Sequence, residues 1–280
     1  MNSNARVVSF LSAPGGVGKT TFAMCLAWLF RLEGKRVLLI DLDPSYGLSL
    51  RLIEFKRYLE RVRRKRTIAD LLAKLKEGDD VDYHEFITEV KFKEIYFDVI
   101  VSSEDLSEVI DTTWYGSEAG REYTLQELID TLGMRKDYDL IIIDTIPFYE
   151  PKYSIITLFA SDISIIPLRP TFIDALRTIN MIKTLRSKTR KIFQDEIIFF
   201  NKFIGVFNMV ETGTKAEKNI KNYKTFMNDA LPRLRFLTNY VTKRIAFQRI
   251  GTKEEQSDDE KNVKTAFGEV FKEIKSTLFS

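Results

Sequence analysis

The sequence predicts an α/β protein with a doubly wound, mostly parallel sheet flanked by helices. Three observations support this: a glycine-rich loop between an apolar run and a helix-like segment, two further apolar runs that end in aspartate, and an alternation of strand-like and helix-like segments. Continuous apolar runs are typical of parallel strands that are buried on both faces. Their alternation with helices implies right-handed crossovers between the strands.

The glycine-rich loop covers residues 12–21, SAPGGVGKTT, between the apolar run 7–11 and the helix-like segment 22–32. Glycines let successive backbone N–H groups turn toward phosphate oxygens, and the helix N-terminus adds positive potential. In this pattern the lysine contacts the β- and γ-phosphates and the following hydroxyl binds Mg²⁺. The alternative is a glycine-rich turn with a surface lysine. The predicted nucleotide-binding residues are Gly15, Gly16, Val17, Gly18, Lys19, Thr20 and Thr21.

Aspartates follow two of the apolar runs. Asp41 and Asp43 end the run that begins at Val37, and Asp144 ends the run LIII. Because ligands of parallel α/β sheets bind beyond the carboxyl ends of the strands, we expect these acids to face the nucleotide. Asp144 is then expected to hold Mg²⁺ through water, together with Thr20. Asp43 and the proline after it are also compatible with a simple turn.

These motifs together resemble the ParA/MinD family of P-loop ATPases, whose loop has the pattern Lys-Gly-Gly-x-Gly-Lys-Thr-[Ser/Thr]. The resemblance covers nearly the whole chain and implies the P-loop NTPase fold, a single domain over residues 1–280, and ATP and Mg²⁺ as cofactors. By this resemblance Asp43 orients the attacking water, and Lys19 and Asp43 are the catalytic residues. Asn208 corresponds to a family asparagine that contacts adenine. Residues 201–204, NKFI, lack the acid of guanine-specific loops, which favours ATP.

One position departs from the pattern of the family. Where its members carry a signature lysine before the glycine pair, this chain has Pro14. In the family that lysine crosses to the nucleotide of the partner subunit in an ATP-bound dimer. Because cations beside a transferring phosphate stabilise the transition state, we expect slow hydrolysis or a basic residue from elsewhere in this role.

Basic residues are unevenly spread, although the net charge is only +3. Residues 51–66 contain eight of them and predict a basic amphipathic helix, with Leu52, Phe55, Leu59 and Val62 on its apolar side. A solvated face, contact with DNA and contact with a membrane or protein all remain open for this segment. Such asymmetry indicates a polyanion-binding face. The DNA-binding candidates are Lys183, Arg186, Lys188, Arg190, Lys191 and Arg244.

Several classes of site are disfavoured by composition. The single cysteine, Cys25, excludes an intrachain disulfide and a multi-thiolate metal site, and His84 is the only histidine. No apolar run reaches the roughly 18 residues that a membrane span requires. The chain has no leader-like start, so we expect a cytoplasmic protein, and the resemblance implies association with the nucleoid. Further strands are predicted over residues 203–209 and 236–242, and a packed helix at the end.

The resemblance implies a partition ATPase that acts in plasmid or chromosome segregation. Members of this branch form ATP-dependent homodimers, bind DNA non-specifically and respond to a centromere-binding adaptor protein. One alternative is a MinD-like ATPase that positions proteins at a membrane. The mixed charges of the last helix, however, are unlike those of a membrane-binding helix. Another is a nucleotide-binding scaffold with little hydrolysis, for which Pro14 is the main argument.

Overall fold

The computed structural model describes residues 5–116 and 119–279. The strands in this part of the chain are β1 (Arg6–Phe10), β2 (Val37–Leu42), β3 (Ile87–Phe92), β4 (Ile95–Ile100), β5 (Leu140–Thr145), β6 (Ile163–Leu168), β7 (Phe203–Phe207) and β8 (Arg235–Phe236). The helices are α1 (Lys19–Leu32), α2 (Gly47–Leu52), α3 (Phe55–Arg63), α4 (Ile68–Glu77), α5 (Leu106–Gly116), α6 (Thr124–Thr131), α7 (Met134–Asp137), α8 (Pro151–Ala160), α9 (Phe172–Thr189), α10 (Glu196–Asn201), α11 (Lys215–Lys218), α12 (Ile220–Ala230), α13 (Ala246–Arg249) and α14 (Asp259–Phe279). Short 3₁₀ turns lie at Tyr83–Phe86 and Arg121–Tyr123.

The strands form an eight-stranded sheet in the order β3-β4-β2-β5-β1-β6-β7-β8. Strand pairs β1/β5, β2/β5, β2/β4, β6/β7 and β7/β8 are parallel, whereas β3 is antiparallel to β4. A two-residue turn joins this hairpin, and its first residue, Lys93, has a φ of 58° as tight hairpin turns require. The predicted α/β class, with a mostly parallel sheet flanked by helices, is confirmed.

Two compact units divide the described chain, and the first contains residues 5–9, Phe22–Ile146 and Glu150–Asp162. In this unit every residue of β2 and β5 is buried, as their apolar runs predict. Their side chains share a core with one side of α4 and of α6. The N-terminus of α4 is closed by a capping box between Thr67 and Asp70, which satisfies two of the free backbone N–H groups there.

The second unit contains Phe10–Thr21, Pro147–Tyr149 and the described residues from Ile163 onward. Aromatic rings form much of its core: Phe199 contacts Phe203 edge to face, and Phe207 stacks on Phe236. The expected terminal helix is α14, which buries one side against this unit through Val263, Phe267, Val270, Phe271, Ile274 and Leu278. Whether residues 1–280 fold as a single domain stays a prediction.

The predicted last strand, 236–242, is wrong in extent. After Leu237, whose N–H still donates to the Gly205 carbonyl oxygen of β7 at 2.9 Å, the chain leaves the sheet because the N–H groups of Thr238 and Asn239 donate to the Glu273 carboxylate at 2.7 and 2.8 Å. A single parallel bridge at Thr242 resumes the pairing. The predicted strand 203–209 also ends early, at Phe207, since Met209 adopts a left-handed φ of 56° that a strand does not accommodate.

The predicted basic helix over residues 51–66 is likewise wrong in extent. It is two helices, α2 and α3, because Ile53 is extended and buried and so interrupts the helical backbone. The residues on the apolar side of the segment also differ from the prediction. Tyr58 is the buried residue of α3, whereas Phe55 is 61% exposed.

Among residues 5–116 and 119–279, none of the helices combines the length and hydropathy that crossing a bilayer requires.

Candidate functional site

The glycine-rich loop connects β1 to α1, and Lys19 is the first residue of the helix. Gly16 and Gly18 have φ values of 70° and 88°, a left-handed conformation that residues with a Cβ adopt only at a cost. Alternation of such residues with ordinary ones turns consecutive N–H groups to the same side and forms an anion-binding concavity. Thr20 and Thr21 are half-buried in the first turn of α1. The loop therefore has the conformation that its sequence predicts.

Lys19 is held against the start of this loop. Its Nζ donates to Ser12 Oγ at 2.8 Å, and that hydroxyl donates to the Pro14 carbonyl oxygen at 2.8 Å. The lysine is only 7% exposed and Pro14 is buried. A buried ammonium group with hydrogen-bonding partners provides a localised positive charge, which is what binding a phosphate group requires.

Asn208, immediately after β7, packs on the same loop. Its Nδ2 donates to the Val17 carbonyl oxygen at 2.8 Å, and it is 7% exposed. A Cβ added to Gly18 would lie 2.8 Å from this Nδ2, so the asparagine and the glycine require each other. The sequence prediction assigned Asn208 to adenine, which stays a prediction. Its bracing of the loop was missed, because 191 residues separate it from Val17 and no local pattern signals such a contact.

The segment after β5 packs on the other side of the loop. The Phe148 N–H donates to the Ser12 carbonyl oxygen at 2.8 Å, and a Cβ on Gly15 would lie 3.6 Å from the side chains of Pro147 and Tyr149. Beside Pro14 opens a cavity of about 360 Å³, which is lined in part by Tyr149, Arg177, Asn180 and Thr184. Arg177, an exposed residue of α9, therefore lines the same cavity as Pro14.

In the first unit, Asp43 begins a tight turn after β2. Its Oδ1 accepts hydrogen bonds from the backbone N–H of Ser45 at 2.8 Å and from the Ser45 hydroxyl at 2.6 Å. The Tyr46 N–H donates to the Asp43 carbonyl oxygen at 2.8 Å, and Tyr46 itself has a φ of 48°. Asp43 remains half-buried. Asp43 therefore does form the turn that its sequence allowed, and its carboxylate stays partly accessible to solvent.

The two acids that end neighbouring strands are buried. Asp41 and Asp144 are register partners on β2 and β5, and they are 0% and 1% exposed. Asp41 accepts hydrogen bonds from the N–H and the hydroxyl of Ser49 at 2.8 and 2.6 Å. Burial, and next the charge of Asp144, raise the pKa of Asp41 to about 8 despite these hydrogen bonds. Asp41 therefore anchors α2 through Ser49, and a position facing the nucleotide stays a prediction for both acids.

Five of the six DNA-binding candidates are exposed on the second unit: Lys183, Lys188, Arg190, Lys191 and Arg244. Arg186 is different, because its guanidinium donates to the Phe193 carbonyl oxygen, pairs with Glu196 and lies over the Phe199 ring. These contacts hold the connection between α9 and α10 and leave its side chain only 18% exposed. A structural role explains Arg186 without a ligand.

Comparison with known proteins assigns the family. A family model described as an AAA domain matches residues 5–196. The chain is 32% identical over 170 residues to the chromosome partitioning protein ParA of Caulobacter vibrioides, a match that spans 60% of this chain and 57% of that protein. It is 29% identical over 233 residues to the chromosome-partitioning ATPase Soj of Treponema pallidum, over 80% of this chain and 79% of that protein.

Solved structures support the same fold. McdA from Cyanothece superposes with a TM-score of 0.74 at 18% identity, over 98% of this chain and 99% of that one. Cobyrinic acid a,c-diamide synthase from Mycobacterium smegmatis, which was solved with an ATP analogue and magnesium, superposes with a TM-score of 0.71 at 20% identity, over 99% of this chain and 96% of that one. Together with the geometry of the loop, the family match shows that this chain belongs to the ParA/Soj-like family of P-loop ATPases.

Proposed function

We propose that this chain binds and hydrolyses ATP with Mg²⁺ and acts in the cytoplasm as a ParA-like partition ATPase on nucleoid DNA. The observation that carries the proposal is the phosphate-binding loop, with Gly16 and Gly18 in left-handed conformation and the Lys19 ammonium held by Ser12 at the start of α1. This arrangement is suited to the phosphates of a nucleotide. The sequence similarity to chromosome-partitioning proteins supports the cellular role.

Each residue of the proposed site has a distinct task. Transfer of a phosphoryl group to water depends mainly on positioning and on neutralising negative charge. Lys19 would neutralise the β- and γ-phosphates, and Asp43 would position the attacking water from its turn. The Thr20 hydroxyl and the Asp144 carboxylate are hard oxygen ligands of the kind that Mg²⁺ prefers, and the bound ion would neutralise charge on the phosphates. We further propose that Asn208 contacts adenine while it braces the loop.

We propose that Arg177 supplies the positive charge that the family places at the position of Pro14. It lines the same cavity as Pro14, and within the described residues no carboxylate forms an ion pair with it. Replacing Arg177 by alanine is expected to lower ATP turnover by about a hundredfold, the lower end of the range seen when one charge-stabilising group is removed. Lys221→Ala, an exposed basic residue of α12 outside the proposed sites, is the control. Equal turnover in the two variants would show that Arg177 has no such role.

The DNA-binding state is proposed to be an ATP-dependent homodimer that contacts DNA without sequence preference. The exposed candidates Lys183, Lys188, Arg190, Lys191 and Arg244 would contact phosphates. A centromere-binding adaptor protein is the proposed stimulator of release. Slow hydrolysis suits this role, because the time that the dimer remains on DNA is then set by the adaptor.

The decisive experiment measures binding to a random-sequence duplex with ATP, ADP or no nucleotide, across a salt series, together with phosphate release. We expect binding only with ATP, and a steep decrease in affinity as salt increases. Lys19→Gln should abolish nucleotide binding and hence DNA binding. Nucleotide binding without DNA binding in any state would overturn the partition role.

The alternative supported by a specific observation is a nucleotide-binding scaffold with little hydrolysis, because Pro14 carries no charge for the phosphates. It predicts tight ATP binding and no phosphate release above the uncatalysed level. The lifetime of the ATP-bound complex would then not depend on the adaptor protein. A MinD-like membrane role is a weaker alternative, and anionic vesicles in the same assay would detect it.

A further inference from the structure

Helix α3 and the two residues after it carry positive charge that no described acid neutralises. Lys56, Arg57, Arg63, Arg64 and Lys65 are all exposed. Within residues 5–116 and 119–279, none of these five forms an ion pair with a carboxylate, although Glu54 and Glu60 lie on the same segment. A patch of this kind raises the local concentration of anions.

The cations of this segment repel one another. Arg57 and Arg61 lie four residues apart on one side of α3, and Arg64 follows as the residue that caps the helix. Burial lowers the pKa of Arg61, and the positive charges of Arg66, Arg57 and Arg64 lower it further. The nearby acid, Glu85, is already paired with Arg66, while its carbonyl oxygen accepts from Arg61 at 2.7 Å. An external anion would relieve this repulsion.

The shape of α3 favours nucleic acid over a lipid surface. A membrane-surface helix inserts a free apolar face among the lipids. Here Tyr58 is buried and Leu59 and Val62 are half-buried against the protein, so Phe55 is the exposed apolar side chain of the helix. Guanidinium groups, by contrast, match the geometry of phosphate oxygens.

An aromatic contact connects α3 to the turn that carries Asp43. The ring of Tyr46 stacks on Tyr58 with a centroid separation of 5.1 Å and an interplanar angle of 27°. Tyr58 in turn lies 6.5 Å from the Phe55 ring. The Tyr46 hydroxyl also donates to Glu104 at 3.2 Å, which limits rotation of the ring. A change in the turn would therefore reach α3 through a direct contact.

We propose that α3, together with Arg64 and Lys65, binds the phosphate backbone of nucleic acid, and that the Tyr46–Tyr58 stack links this surface to the Asp43 turn. The inference rests on the proposed function, in which Asp43 lies next to the terminal phosphate of ATP. It adds a DNA-contacting surface on the first unit to the candidates on the second. The link would make the affinity of α3 for DNA depend on the bound nucleotide.

The surface is tested with the full chain by replacing Arg57, Arg63 and Arg64 with glutamine. The control replaces Lys261, Lys272 and Lys275 on α14 with glutamine, which changes the net charge equally. Binding of a random duplex is measured with ATP across a salt series. Since each phosphate contact contributes about 0.9 to the salt slope, the α3 variant should lose about 2 to 3 from the slope, and its affinity near 0.15 M salt should fall at least about tenfold. The control should keep the wild-type slope.

Each outcome decides the proposal. Wild-type DNA binding by a folded α3 variant would overturn the inference and leave the proposed function intact. Loss of binding to anionic vesicles with unchanged DNA binding would overturn it in favour of a lipid surface. Absence of DNA binding in the unaltered chain would overturn both the inference and the partition role. Thermal unfolding of each variant establishes that it is folded.

The link is tested at Tyr46, where asparagine accommodates the left-handed backbone but removes the ring. Tyr46→Phe is the control, because it keeps the ring and loses only the hydroxyl. In Tyr46→Asn the ratio of affinities for DNA with ATP and with ADP should shrink at least about threefold, while the salt slope in ATP stays as in the wild type. An unchanged ratio would rule out the stack as the link.

Discussion

Two glycines of the phosphate-binding loop share a backbone conformation but differ in their surroundings. A Cβ on Gly16 would meet nothing within 4 Å, whereas a Cβ on Gly18 would lie 2.8 Å from Asn208 Nδ2. Gly16→Ala is therefore expected to lower the free energy of unfolding by about 1 to 2 kcal/mol, the cost of left-handed backbone. Gly18→Ala should cost about 1 to 3 kcal/mol more, since Asn208 must release the Val17 carbonyl.

Urea unfolding of the nucleotide-free variants measures this difference. Omitting nucleotide matters because both glycines belong to the proposed phosphate site, and a loss of ligand would obscure the loss of packing. Equal destabilisation by the two alanines would mean that Asn208 adapts to the added methyl group without cost.

Cys25 provides a prediction for the dependence of stability on pH. It is fully buried on α1, and burial raises the pKa of its thiol to about 12, against the opposing charge of Arg51. In the unfolded chain this thiol has its ordinary pKa of 9.0. Above that pH the unfolded state loses a proton that the folded state keeps, so the free energy of unfolding decreases as the pH rises.

Between pH 8 and 10 the unaltered chain should therefore lose about 1 kcal/mol more stability than Cys25→Ala, which lacks the titrating group. Because the thiolate is the reactive form, iodoacetamide at pH 8.5 should modify the thiol only after unfolding in urea. Identical pH profiles for the two proteins, or rapid modification of the native chain, would contradict the assigned burial.

At the scale of elements, the contact between α14 and the segment after β8 depends on one carboxylate. Glu273 accepts hydrogen bonds from the N–H groups of Thr238 and Asn239 and from Asn239 Nδ2. Burial raises its pKa, but these hydrogen bonds outweigh burial and the net pKa is lowered. A lowered pKa stabilises the fold above the unfolded value of 4.5, and this stability is lost as the pH falls below it.

Glu273→Gln should lower the free energy of unfolding at pH 7 by about 1.5 to 3 kcal/mol, as expected for hydrogen bonds to a charged group. Glu269→Gln on the same helix is the control: its pair with Lys272 is exposed, and the expected change is below about 0.5 kcal/mol. Urea unfolding at pH 7 and pH 3.5 should show the Glu273 effect diminishing in acid. An effect that is equal at both pH values would exclude the charged interaction.

At the scale of the whole molecule, binding of a ligand to the folded state raises the free energy of unfolding. On the proposed function, Mg²⁺ and ATP at a hundred times the Kd should add about 2.7 kcal/mol and raise the Tm, and EDTA should reverse the part that depends on the metal. Asp144→Asn should reduce that part, whereas Asp229→Asn, an exposed residue of α12, should not. Equal responses to EDTA in the two variants would show that Asp144 does not hold the metal.

The errors in the predicted elements share one cause. The run of residues 236–242 is apolar enough for a strand, but its backbone donors at Thr238 and Asn239 are taken by a carboxylate about 35 residues away. The basic segment 51–66 has helical spacing, yet burial of Ile53 interrupts it. Local pattern describes what a segment favours, whereas the contacts it meets in the fold decide where it ends.

The α/β class, the glycine-rich turn between β1 and α1, and strands β2 and β5 were all predictable from the sequence. Each depends on neighbours along the chain: glycines at positions that require left-handed backbone, and apolar runs that must be buried on both sides. Three features follow only from packing in the fold: Asn208 donates to the Val17 carbonyl, Asp41 is buried against Ser49, and Arg177 lines the same cavity as Pro14. These depend on residues distant in the chain, whose proximity results from packing and leaves no periodic signal.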